Sequence, residues 1–126
     1  MELKELRIGN YINYPLNIDK QPIVVNGIVG NKILTDSFEG DAECFFPIIL
    51  NEEWMDKLGF EHIVNEFTKV DFWQLKRKRN EYHKPVIVIY KDRTTVGNNT
   101  YVKHLKFVHQ VQNLYFILSG EELEVK

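Results

Sequence analysis

The chain has 126 residues and a formal charge of −2; 44% of it is hydrophobic, including 8 Phe, 6 Tyr and 2 Trp. That length fits one domain, residues 1–126, and that much apolar area argues against intrinsic disorder and against a need for metal or disulfide staples. Cys44 is the single cysteine, which rules out an intramolecular disulfide or a zinc site built on several cysteines of one chain.

A reducing, cytoplasmic setting fits this cysteine usage. The opening MELKELRIGN has no apolar signal-peptide core, and no stretch approaches the roughly 18 apolar residues of a membrane span, so a soluble protein without membrane contact is expected. Charge is uneven along the chain. Residues 1–66 carry 5 Lys/Arg against 12 Asp/Glu, a net of −7, whereas residues 67–93 carry 8 against 3, a net of +5. The two stretches compensate each other, or the basic one meets an outside polyanion.

Residues 3–14, LKELRIGNYINY, begin with a helical turn and then alternate as a first strand, which Pro15 ends. Gln21–Val29 is β-branched, with a bend at Asn26-Gly27, and Gly30-Asn31 reads as a two-residue turn into a strand over Lys32–Thr35. An acidic, turn-rich loop, DSFEGDAE, leads to CFFPIIL, where Cys44–Phe46 suits another short strand before Pro47. Several short strands within 50 residues predict a small, bent, SH3-like β lobe.

Asn51 has the features of a helix N-cap, with Glu52 and Glu53 in the first turn and Gly59 just past the end, so a short linking helix is expected near Glu52–Leu58. From Phe67, FTKVDFWQLKRKRNEYHKPVIVIYKD reads as an antiparallel hairpin: one strand to about Lys76, a reversal near Arg79–Glu81, and a second strand over Val86–Tyr90. Arg93–Thr100 reads as a polar loop that delivers an Asn or Thr cap to the last helix. That helix, Leu105–Gly120, is the longest apolar-periodic run. Spacing of about 100° per residue gathers Leu105, Val108, Val111, Leu114, Tyr115 and Leu118 on one side and Lys106, His109, Gln110 and Asn113 opposite. The fold class expected is α+β: the bent N-terminal β lobe (1–50), the linking helix (51–60), then the hairpin and a C-terminal amphipathic helix packed on sheet (61–126).

The run Val108-His109-Gln110-Val111-Gln112-Asn113-Leu114-Tyr115-Phe116, continued to Leu123, resembles the C-terminal segment, similar to VHQLQNLYFALTGEEL, of small uncharacterised proteins from Bacteroidetes bacteria and their phages or prophages. Leu6–Tyr11, Thr35–Ser37, Pro47–Leu50, Glu52–Trp54 and Leu58–Phe60 are similar to that family in the same order; residues 61–103 are not. The family has no established activity, so the resemblance implies a phage or prophage setting in a bacterial cytoplasm and brings no catalytic residues.

Two surfaces are candidates. Gln112 falls within the apolar arc, and His109 and Asn113 stack at i, i+4. These groups either hydrogen-bond the backbone of the β lobe, locking the helix in register, or His109, Gln110, Asn113 and Phe116 form a patch for a protein partner or a second copy of the chain. The other candidate is a nucleic-acid site in the basic hairpin: Lys76, Arg77, Lys78 and Arg79 to neutralise phosphates, with Trp73 and Tyr82 to stack on bases.

No cofactor or metal is called for. The acidic loop Asp36, Glu39, Asp41, Glu43 lacks the spacing of a calcium-binding EF-hand. His62, His83, His104 and His109 fall into no metalloprotease pattern, Cys44 has no nucleophile context, and Ser37 and Ser119 lack the nucleophile-elbow motif. A non-enzymatic binding protein is therefore expected.

Overall fold

The structure is a computed structural model and describes residues 3–13, 22–36, 39–77, 79–81 and 84–125. The expectations placed on Pro15, Gln21, Ser37, Lys78, Tyr82 and His83 lie outside the described residues. The architecture is mixed α+β, and every strand pairing is antiparallel. The chain divides into two compact units: residues up to Ile49 together with Phe107–Leu114, and Leu50–Lys106 together with Tyr115 onward.

In the first unit a 3-10 turn over Leu3–Glu5 precedes β1 (Tyr11–Asn13), β2 (Ile23–Val24), β3 (Gly27–Val29), β4 (Lys32–Leu34), β5 (Glu39–Asp41) and β6 (Phe46–Pro47). They form two three-stranded sheets, β2-β1-β6 and β3-β4-β5. The bend expected at Asn26-Gly27 is the point at which the chain leaves one sheet and enters the other. Val29 pairs with Lys32, so Gly30-Asn31 is the two-residue turn, with Gly30 at φ 60°, a left-handed value that glycine accepts without strain. Pro47 pairs with Ile12 on an edge strand, where a missing N–H does least harm. Leu6, Ile12, Val25, Ile33, Ala42 and Phe45 form the core. These pairings give a bent antiparallel lobe, the coarser part of the SH3-like expectation. The acidic loop is more regular than its composition suggests: it contains β5 and the start of a 3-10 turn over Ala42–Cys44, and the short strand expected over Cys44–Phe46 is β6, shifted to Phe46–Pro47.

The second unit starts with α1 (Glu52–Lys57). Asn51 caps it, its side chain accepting from the Trp54 N–H at 2.8 Å, and Glu53 pairs with Lys57 at 3.2 Å. Gly59, at φ 88°, releases the chain into β7 (Phe60–Val64). Then come β8 (Asp71–Leu75), β9 (Ile87–Ile89), β10 (Thr94–Val96) and β11 (Thr100–Val102), a five-stranded meander in the order β11-β10-β9-β8-β7. The β8–β9 pairing is the hairpin expected from sequence, though Phe67–Val70 lies before the strand. The stretch expected to be a polar loop, Arg93–Thr100, holds β10 and the start of β11. Val96 pairs with Thr100 around Gly97–Asn99, with Gly97 and Asn99 at positive φ. Thr94, Thr95 and Val96 are β-formers, and this outweighs the polarity of the turn.

One face of this sheet is closed. Phe60, Leu75, Ile87, Ile89 and Thr94 are buried there, and Trp54 and Met55 of α1 and Leu58 at its C-cap are buried within the same unit. The β7–β8 ladder has five residue pairs, whereas β8 meets β9 only at Trp73 and Gln74, so the β7–β8 hairpin outruns its neighbour at the tip.

The last helix, α2, spans Val108–Ser119 and starts later than the sequence periodicity suggests. Its cap is neither Asn nor Thr. Gln110 accepts from the Phe107 N–H at 3.1 Å, the reach-back half of a capping box. Gly120, at φ 76°, ends it. Val108, Val111 and Tyr115 are buried as expected, whereas Leu118 is exposed, because the apolar arc extends beyond the part of the helix that is covered.

Candidate functional site

The polar residues of the first two turns of α2 act on the first unit's backbone. Gln112, buried, donates from Nε2 to the Gly9 carbonyl at 3.2 Å and accepts at Oε1 from the Tyr11 N–H at 2.9 Å. Its amide thus does for residues 9–11 what a neighbouring strand would do. Asn113 donates to the Glu5 carbonyl at 2.7 Å and accepts from Asn10 Nδ2 at 2.7 Å and from Arg7 Nε at 3.2 Å. Asn10 is itself buried, and its Oδ1 accepts from the Arg7 N–H at 2.7 Å.

His109 is 2% exposed, with Nε2 3.8 Å from Glu5 Oε2 and its ring parallel to that of Phe107 at 5.8 Å. Of the candidate partner-binding set, His109 is therefore enclosed, Gln110 caps its own helix, and Asn113 holds the N-terminal segment. Phe116 alone lies at the surface, beside exposed Ile117 and Leu118.

The nucleic-acid candidates separate likewise. Trp73 is half-buried and stacks on His62, its cross-strand partner, at 4.9 Å. His62 Nε2 lies 2.9 Å from Asp71 Oδ2, and this hydrogen bond holds the Asp71 carboxyl below the usual carboxylate range. Lys76, Arg77 and Arg79 are exposed beyond β8. Lys76 and Arg77 line a groove of about 630 Å³ together with Lys84 and six carboxylates, Glu61 and Glu81 among them. Glu81 lies 2.7 Å from Lys84 and its hydrogen bond pushes that ammonium's pKa up. At this groove Lys76 and Arg77 face acidic groups of which only Asp56 and Glu61 belong to the acidic stretch 1–66; Glu81, Glu121, Glu122 and Glu124 lie outside it.

In the acidic loop, Glu43 accepts from Asn31 Nδ2 at 3.1 and 3.2 Å, and Asp36 accepts from Asn26 Nδ2. A backbone hydrogen bond, and after it Asn31, keep Glu43 below its ordinary pKa. Among the described residues no group of three or more His, Cys, Asp or Glu is placed to hold a metal, and no helix is long and apolar enough to cross a membrane. His104 Nδ1 lies 3.0 Å from Thr94 Oγ1, which also accepts from the Leu105 N–H at 3.1 Å.

Sequence reading passed over the tip of the β7–β8 hairpin. Asn65 Oδ1 accepts from the N–H groups of Phe67 and Thr68 at 3.0 and 3.2 Å, and the Asn65 carbonyl accepts from the Lys69 N–H at 2.8 Å. Lys69 takes a left-handed conformation, φ 62°, and the Val70 carbonyl accepts from the Asn65 N–H at 2.9 Å. The turn is thus cross-tied, and it presents Phe67 98% exposed between exposed Val64 and Val70. Asn65 two and three residues before two N–H groups is an Asx-turn signal that was available in the sequence. No family model matches the chain, and no curated protein or solved structure matches it either.

Proposed function

We propose that the protein is a non-enzymatic accessory protein of phage or prophage origin. On this reading it works in a bacterial cytoplasm by gripping a protein, a partner or a second copy of itself, with the tip of the β7–β8 hairpin. The observation that carries this reading is Phe67, a large aromatic ring standing 98% in solvent on a turn tied by Asn65. Leaving such a ring in water forgoes about 1.5–3 kcal/mol of burial, and a turn that is already ordered loses little entropy when a partner closes on it. Val64 and Val70 widen the apolar spot, and the neighbouring residues Glu66, Lys69 and Asp71 give it the charged rim of an interface. The resemblance of the C-terminal segment supports the phage or prophage setting.

The experiment is site-specific photo-crosslinking in the host cell, with benzoylphenylalanine in place of Phe67 and, as a control, of Glu53 on the exposed side of α1. The expected result is a discrete protein adduct, heterologous or homodimeric, from position 67 alone. No adduct, or the same adducts from both positions, contradicts the reading.

A further inference from the structure

The face of the five-stranded sheet opposite its buried side carries three rings, Phe72, Tyr90 and Tyr101, and one guanidinium, Arg93. Strand alternation and register place Glu61, Gln74, Val88, Thr95 and Tyr101 side by side across all five strands, with Ile63 and Phe72 as the next pair along β7 and β8. Tyr90 follows directly on β9 and turns the same way, its ring 5.3 Å from that of Phe72. The Arg93 guanidinium lies 4.0 Å over Tyr90. Thr95 is buried, but Ile63, Phe72, Gln74, Val88, Tyr90 and Arg93 are half-buried, and Tyr101 is 71% exposed.

Charge is graded across this face. Arg93 stands on it beside Tyr90, where β9 turns into β10, whereas Glu61 stands at the far edge on β7. Asp92 is paired with Arg93 at 3.1 Å, both side chains exposed, and an exposed pair of this kind contributes little and yields readily to a phosphate.

We propose that this face binds single-stranded nucleic acid, the bases stacking on Phe72, Tyr90 and Tyr101 and the phosphates meeting Arg93. Rings on an open sheet reach base planes only where these are not already stacked in a duplex, which selects single strands. An acidic peptide satisfies Arg93 but leaves the rings without flat partners. These residues differ from the basic run after β8, whose cations share a groove with carboxylates.

The test is fluorescence anisotropy of labelled oligothymidine and of its RNA counterpart with the full chain at low salt. Binding is expected, weaker for a duplex of equal length and falling with added salt. Tyr101→Ala, at an exposed position where the fold is insensitive, is expected to weaken binding roughly tenfold, as is Tyr90→Ala. Arg93→Gln is expected to lower the log–log salt slope by about 0.7. No anisotropy change at low salt overturns the proposal. So does binding that Tyr101→Ala and Tyr90→Ala leave intact, or displacement of the oligonucleotide by polyglutamate at equal charge.

Discussion

Two regions rich in polar and aromatic residues behave in opposite ways. At the start of α2, the side chains of Gln112, Asn113 and Gln110 are engaged with backbone groups of the first unit and of the helix itself, and His109 is enclosed. At the far end of the β7–β8 hairpin, side-chain bonds from Asn65 serve to hold Phe67 out in solvent. The same chemistry, an amide bonded to backbone, locks an element in place in one region and presents a side chain in the other. What separates them is whether apolar neighbours close over the bonded group: Val108, Val111 and Ile12 are buried beside the first, while Val64 and Val70 lie exposed beside the second.

The contrast can be broken by substitution. The sheet offers the largest effect: Ile87→Ala, on the closed face, is expected to cost about 2–5 kcal/mol in urea unfolding, because it leaves a cavity. Val88→Ala, one residue on and facing outward, is expected to cost less than about 1.5 kcal/mol; equal costs would mean that both faces are covered. Gln112→Ala is expected to lose about 2–4 kcal/mol, since the Gly9 carbonyl and the Tyr11 N–H both lose their partner. Asn65→Ala is expected to cost about 1 kcal/mol, and hydrogen exchange at Phe67 and Thr68 should rise with it. Phe67→Ser should change stability by no more than about 0.5 kcal/mol while removing the crosslinked partner's affinity.

The smallest effect is a pH dependence. Asp71 has its pKa lowered in the folded state by His62, so this contribution is present above the ordinary value of 3.8 and is lost as pH falls through the lower folded value. Asp71→Asn should flatten that acid-side slope slightly, and an unchanged slope would mean that the His62 contact contributes nothing.

Legibility in the sequence followed how local the determining signal is. Asn51 with Gly59, and Gly30-Asn31, are complete instructions within a few residues, and α1 and the β3–β4 turn follow them. The periodicity of Val108, Val111 and Tyr115 located the buried arc of α2. Periodicity alone could not say that Gln112 and Asn113 would meet residues 5–11, since those contacts join positions over 100 apart. The strands Phe60–Val64, Thr94–Val96 and Thr100–Val102 were missed because polar residues interrupt the alternation on both faces: Glu61 and Thr95 face outward, while His62 and Thr94 face the other side. The Thr-Thr-Val and Thr-Tyr-Val runs around Gly97-Asn98-Asn99 carried the β signal that the polar turn concealed. Of the candidate partner-binding residues, only Phe116 is at the surface, and the exposed ring of Phe67 escaped notice because a lone aromatic in a polar turn has no periodicity.

The central claim is that α2's polar residues hold the fold while binding falls to the hairpin tip. It is tested most directly by comparing photo-crosslinking yields from benzoylphenylalanine at Phe67 and at Phe116 in the same host cells. The account predicts a discrete protein adduct from position 67 and none from position 116. A strong adduct from 116 with none from 67 would move the working surface back to the helix and contradict it.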